Sequence, residues 1–270
     1  FIKHAKMSGS KVYSVGGNFS SNYLKKLFKI NSAIKEFDSI FVLNERSKKI
    51  VEDIGNQKVI VVGDLRYDTV IPKLKNETNK IIERFIDVNN CIVFGSTWKE
   101  DENIIIKYLN NYKGNNKYII APHEIVKNSE RIKKYLGSKS ILFSKINSNT
   151  DLKEFSCLII DNIGMLSSLY SYATIAYVGG GMGTKGLHNI LEPAYFSKPI
   201  IIGKNYRGFD EAEKMIENGN VISISNYSDF TNELELIINN KSIIKEISSK
   251  CTDFFKKNKG GVKLILNKLQ

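Results

Sequence analysis

The chain has 270 residues, 42% of them hydrophobic and 25% charged, with a formal net charge of +12. This suits one large or two modest globular domains, and it excludes a disordered or fibrous chain. No apolar run approaches the roughly 20 residues of a spanning helix, and no signal peptide is visible. The opening FIKHAKM does not read as a natural start and is taken as the interior of a longer protein. The lysines are dispersed, with no arginine-rich tract and no basic motif interleaved with aromatics, so nucleic acid is not an expected partner. The charge also follows from a chain rich in Lys, Asn and Ile throughout; among the anionic partners, which include phosphorylated substrates, a membrane surface fits it better than nucleic acid. Cys91, Cys157 and Cys251 lack disulfide or zinc spacing and read as thiols of a reducing cytoplasm.

Strands and helices alternate from about residue 38. A strand over Ser39–Leu43 leads to a helix over Glu45–Ile54, and a strand over Val59–Val62 closes on Gly63-Asp64. Polar Ile71–Asn90, with a helix over Asn79–Phe85, reads as the passage between domains. Strand Cys91–Gly95, helix Lys99–Tyr112, strand Tyr118–Ala121 and helix Glu124–Tyr135 follow. Ile141–Phe143 and Ser156–Ile160 are expected strands, Ile163–Tyr172 an apolar helix, Thr174–Val178 a strand and His188–Phe196 a helix. Strand Ile200–Ile202, helix Asp210–Asn218, strand Val221–Ile224 and a helical tail from Asp229 complete the pattern. Repeated βα units imply a doubly wound, Rossmann-like parallel sheet in an α/β fold. The expected domains are 1–75, the end of an N-terminal domain; 76–245, a complete nucleotide-binding-like domain; and 246–270, a helical tail.

In such sheets ligands bind beyond the carboxyl ends of the strands, and five segments fall there. The strongest is YVGGGMGTKGLHNILEPAYFSKP, from Tyr177 to Pro199. Its glycines would let backbone N–H groups approach a phosphate, and a helix opening at His188 and Asn189 would add partial positive charge. Glu192, one turn on, could accept hydrogen bonds from two ribose hydroxyls. The segment reads as a nucleotide-sugar site. Ser96 and Thr97 stand at another helix entrance, either capping it or touching phosphate. His123 ends a strand and could meet phosphate or base. Asp161 suits a helix N-cap, and Gly164 would let a base approach the backbone. Arg66 either pairs with an anionic substrate group or fixes a turn through Asp64 or Asp68. Neither a nucleophilic triad, nor a zinc motif, nor a Walker lysine motif is present, and no metal or cofactor is expected.

In this order, GDLRYD (Gly63–Asp68), GSTW (Gly95–Trp98), APHE (Ala121–Glu124), DNIGMLSSLY (Asp161–Tyr170), GGGMGTKGLHNILEPA (Gly179–Ala194) and GKNYRGFDEA (Gly203–Ala212) resemble the bacterial 3-deoxy-D-manno-octulosonic acid (Kdo) transferases, nearest the Bacteroidetes-type branch. The resemblance implies a GT-B architecture and metal-independent, inverting transfer of Kdo from CMP-Kdo to a lipid A precursor, lipid IVA. It places the reaction at the cytoplasmic face of the inner membrane. It implies that Asn189 and Glu192 hold the ribose and phosphate region. Gly180, Gly181, Lys185 and Gly186 would surround the phosphate, and Ile163 and Gly164 would lie near cytosine. The family's Pro-Arg-His around His123 is Ala-Pro-His here, so Lys185 or Arg66 would supply the missing cation. The family's catalytic glutamate lies upstream and is carried onto no residue. Alternatives are another GT-B enzyme or epimerase using a UDP-sugar, or a donor-binding fragment without turnover.

Overall fold

The computed structural model describes residues 1–19, 33–73 and 78–269. Contacts divide the chain into two units, Phe1–Ile71 with Lys256–Gln270, and Pro72–Phe255. The boundary expected at 75/76 lies outside the described residues. Of the tail expected from 246, residues up to 255 pack in the second unit and the rest return to the first.

The first unit holds a three-stranded parallel sheet in the order β1–β2–β3, formed by β1 Tyr13–Gly17, β2 Ser39–Val42 and β3 Val59–Val61. The helix Glu45–Ile54 is started by Asn44, whose side chain accepts the Ser47 N–H, and stopped by Gly55 at φ +103°. Its Val51 packs with Ile34, Ile40, Val42 and Val59. Phe41 and Val62 pack on Ile265 of the C-terminal helix Gly261–Leu269. The Asp68 carboxylate accepts the N–H groups of Gly260, at 2.7 Å, and Val262, at 3.0 Å, at the start of that helix.

The second unit holds seven parallel strands: β4 Cys91–Thr97, β5 Lys117–Pro122, β6 Ser140–Leu142, β7 Cys157–Ile159, β8 Ile175–Val178, β9 Ile200–Gly203 and β10 Val221–Ile224. Their order is β10–β9–β8–β4–β5–β7–β6. A sheet covered on both faces demands unbroken apolar strands, and β4, β5, β8 and β9 are buried almost throughout. Each fully buried Ile or Val there stabilises the fold by about 1.5–3 kcal/mol. From β4 the chain passes to β5, then to β6 at the edge and back to β7 between β5 and β6, before crossing to β4's other side with β8. The carboxyl ends of β4 and β8 therefore form the topological switch point, where such sheets bind ligands.

Four local expectations are corrected. The first sheet begins with β1, which lies before residue 38; Ser14, Gly16 and Gly17 give it no apolar alternation. The helix expected from His188 begins at Leu191 and ends at Tyr195, because the glycine loop runs on to Ile190 and Asn189 Oδ1 accepts the Leu191 N–H at 3.0 Å. The helix expected over Ile163–Tyr172 shrinks to Leu166–Leu169 followed by a 3-10 turn, Tyr170–Tyr172, with Gly164 at φ +96° ahead of it. Asp161 caps no helix: its carboxylate accepts the backbone N–H and hydroxyl of Ser144.

Candidate functional site

Two glycine approaches build the switch point. The Gly179 N–H donates to the Gly95 carbonyl at 2.9 Å, and a Cβ on Gly179 would overlap the Ser96 carbonyl oxygen. The Gly180 backbone, at φ +93°, passes so close to Gly186 that a Cβ would strike the Gly186 carbonyl oxygen. Gly181 likewise abuts Gly203 at the end of β9. The loop is therefore a folded coil of backbone, closed at its far end by the His188 N–H donating to the Gly179 carbonyl at 3.2 Å.

Asp101 holds this coil from below. It is fully buried; Oδ1 accepts the Tyr177 hydroxyl at 2.7 Å, and Oδ2 accepts the N–H groups of Gly180 and Trp98, each at 2.9 Å. Burial pushes its carboxyl above the usual carboxylate range, while these donors pull the other way. In sequence Asp101 is one acid in the first turn of the helix Lys99–Asn111. Its structural role was missed there, since nothing local marks it from Glu100 or Glu102.

Neither Ser96 nor Thr97 caps that helix; its N-cap is Trp98, whose N–H Asp101 accepts. Thr97 is fully buried and donates to Glu102 Oε1 at 3.2 Å. Glu102 in turn pairs with Arg131. The Thr97 hydroxyl is thus committed within the protein. Ser96, at φ +51°, lines a cleft of about 130 Å³ together with His123, Asn162, Ile163, Gly164 and Leu166. Ile163, 90% exposed, offers an apolar side chain at its edge, and Gly164 leaves open space where a Cβ would stand.

Trp98, His123 and His188 form a stack. Ring centroids are 4.5 Å apart for Trp98 and His123, and 4.4 Å for the two histidines. The Lys185 ammonium lies 5.3 Å from the Trp98 ring centroid, within reach of a cation–π contact. Burial, and then His123, push the His188 imidazole below its ordinary value of 6.5. Glu192 accepts the Ser167 hydroxyl at Oε2, 2.8 Å, and the Asn189 amide at Oε1, 3.3 Å. The structure thus brings Ser96, His123, Ile163 and Gly164 to one cleft, and Lys185 and His188 to the adjoining stack through Trp98. Gly180, Gly181 and Gly186 form the coil, and Asn189 and Glu192 meet each other.

Arg66 belongs to the other unit, and its guanidinium binds Asp64 through Nε, 2.8 Å from Oδ2, and a terminal nitrogen at 2.6 Å. Trp98 and Ser167 joined the arrangement without a sequence signal beyond their place in GSTW and DNIGMLSSLY. Among the described residues no group of His, Cys, Asp and Glu could hold a metal ion. The three cysteines are buried free thiols, and burial pushes Cys91 up to about 12.

No protein-family model matches the chain. Over 228 residues it is 31% identical to a 3-deoxy-D-manno-octulosonic acid transferase of Rickettsia typhi, covering 82% of this chain and 48% of that protein. The chain is a homologue of the Kdo transferases. It is also 27% identical over 272 residues to a bifunctional glycosyltransferase/methyltransferase of Fusobacterium nucleatum subsp. nucleatum, covering 96% of this chain and 41% of that one. The chain thus spans about half the length of the curated relatives it matches.

Among solved structures, the C-terminal CMP-Kdo binding domain of WaaA from Acinetobacter baumannii superposes with a TM-score of 0.55 at 17% identity, covering 70% of this chain and 97% of that one. The UDP-GlcNAc 2-epimerase of Neisseria meningitidis bound to UDP-GlcNAc gives 0.62 at 16% identity, covering 92% of this chain and 66% of that one. These likenesses show the fold, which is of the GT-B type expected from the sequence motifs.

Proposed function

We propose that this protein takes part in moving Kdo from CMP-Kdo to a lipid A precursor, lipid IVA, and that its second unit holds the CMP-Kdo. The observation that carries the reading is the coil Gly179–Gly186 at the switch point, which includes Lys185 and is followed in the chain by Asn189 and the Glu192 carboxylate it meets. The cleft at Ser96, His123, Ile163 and Gly164 would receive the base, with Ile163 packing on cytosine. Glu192 would accept the ribose hydroxyls, and the coil with Lys185 and His188 would face the phosphate. Thr97 is left out of this set because its hydroxyl is already committed to Glu102.

In the reaction, an acceptor sugar hydroxyl oxygen attacks the anomeric carbon of Kdo from the face opposite CMP. The bond from that carbon to the phosphate oxygen breaks, and its electron pair leaves with CMP; the anomeric centre inverts. A general base takes the hydroxyl proton, and we assign that base to no residue of this chain. The departing phosphate gains charge, which Lys185, the His188 imidazole and the coil's backbone would stabilise without a metal. Arg66, oriented by Asp64, is the proposed cation for a substrate carboxylate or phosphate. An anionic membrane surface would suit the net charge of +12 and an acceptor embedded in lipid, at the cytoplasmic face of the inner membrane.

The second reading is a UDP-sugar enzyme, favoured by the fold shared with the epimerase. Calorimetric titration with CMP, UMP and UDP separates them. Saturable binding selective for CMP is the expected result; preference for UDP would replace the Kdo reading, and binding of neither by the folded chain would remove the donor site from it. Donor binding without transfer to the acceptor would mark a donor-binding fragment.

A further inference from the structure

The Trp98 indole Nε1 lies 2.8 Å from His188 Nε2. An indole nitrogen can only donate, so this contact requires a lone pair on Nε2. A neutral imidazole carries one proton, which must then sit on Nδ1. The Cδ2 edge of the same ring faces the Gly180 backbone, where a Cβ would come within 3.1 Å. Among the described residues Nδ1 has no hydrogen-bond partner.

We propose that Trp98 is a positioning residue that fixes His188 as its Nδ1–H tautomer, leaving one neutral N–H donor for the phosphate of the bound nucleotide. The proposal rests on the donor-site reading above and adds to it the form in which His188 acts.

The surroundings agree. His123 stacks on the His188 ring at 4.4 Å, and Lys185 stands over Trp98. A proton on Nε2 would break the indole bond and add a positive charge between those groups. The nearby acids are occupied or set apart from the ring: Asp101 is engaged by Tyr177, Trp98 and Gly180, and Glu100 lies beside Gly183. Lys185 thus supplies charge and His188 direction, two tasks that need different protonation behaviour.

The chain has three histidines, so long-range proton–nitrogen NMR of the 15N-labelled protein can resolve them. At pH 7.5 the wild type should show His188 protonated on Nδ1 alone. In Trp98→Phe the Nε2–H form should become populated, and the pH at which His188 gains its second proton should rise. The same His188 pattern in both proteins would overturn the proposal. A second pair of variants keeps Trp98 in place. The amide of His188→Asn can occupy the Nδ1 position, whereas that of His188→Gln reaches toward Nε2. CMP affinity should fall less in His188→Asn than in His188→Gln, where the loss should be about tenfold, that of one hydrogen bond to a charged group. Equal losses in the two would remove the phosphate contact. If the wild type shows the tautomer yet binds no CMP, the donor reading fails while the indole lock stands.

Discussion

Asp101 Oδ2 accepts the Gly180 N–H at 2.9 Å, joining the first turn of one helix to a glycine loop 79 residues further along the chain. Through Trp98 and Tyr177 the same carboxylate also reaches the ring stack and β8. Asp101→Asn keeps the size but turns an NH2 group toward donors. It should destabilise the protein by about 2 kcal/mol or more, from N–H groups left without an acceptor in the interior. Urea unfolding with the wild type as reference measures this. A loss under about 0.5 kcal/mol would show that the loop holds its shape without this carboxylate.

Glycine substitutions should separate crowding from backbone strain. Gly164 has φ +96° with nothing near its missing Cβ, so Gly164→Ala should cost about 1 kcal/mol from the left-handed backbone alone. Gly180→Ala at φ +93° meets the Gly186 carbonyl oxygen as well, and should cost more and lower CMP affinity through distortion of the coil. Similar costs in thermal unfolding would contradict the close approach.

Glu192 tests the ribose contact. Glu192→Ala should weaken CMP binding about tenfold or more, as expected when charge-assisted hydrogen bonds are lost. Ser167→Ala, which only frees the carboxylate from one restraint, should have a smaller effect. Calorimetry on both variants decides it, and unchanged CMP affinity in Glu192→Ala would withdraw the assignment.

Trp98 is the chain's sole tryptophan, so its fluorescence reports on the ring stack alone. The imidazolium form of histidine quenches indole more strongly than the neutral form. The His188 value lies below 6.5, so the part of the quench that depends on His188 should develop mainly below that pH, as its ring is protonated. The fold favours neutral His188, so its contribution to stability is complete above 6.5 and is lost as pH drops through the lower folded value. A fluorescence titration of the wild type beside His188→Gln checks the assignment, for the quench should diminish in the variant.

Asp68→Ala removes the acceptor for the N–H groups of Gly260 and Val262. The helix Gly261–Leu269 should lose about 1 kcal/mol, the usual worth of such a cap. Faster amide exchange confined to that helix would confirm it, and unchanged exchange would contradict it.

The second unit was legible because its strands are short apolar runs closed by glycine, serine or proline, a pattern that parallel sheets impose on sequence. The Gly179–Gly186 cluster was legible for the same physical reason, since few arrangements other than close backbone contact call for so many glycines. The residues just beyond that cluster were not: His188 and Asn189 sit well on a helical wheel with Glu192, yet the coil needs them to close itself before the helix can begin. Asp101 and Ser167 were invisible because each acts on a partner far away in sequence. The return of the last residues to the first unit depends on Asp68 and Ile265 meeting distant groups, which no local period encodes.

The second unit is entered once and left once, at 71/72 and at 255/256, while both flanking stretches belong to the first. In genetic terms it is a continuous cassette inserted into a discontinuous host. One unbroken stretch of coding sequence therefore carries the whole glycine coil, the ring stack and Glu192. On the proposed donor-site reading, exchange of that stretch between relatives would replace nucleotide preference as a block, with only two junctions to heal.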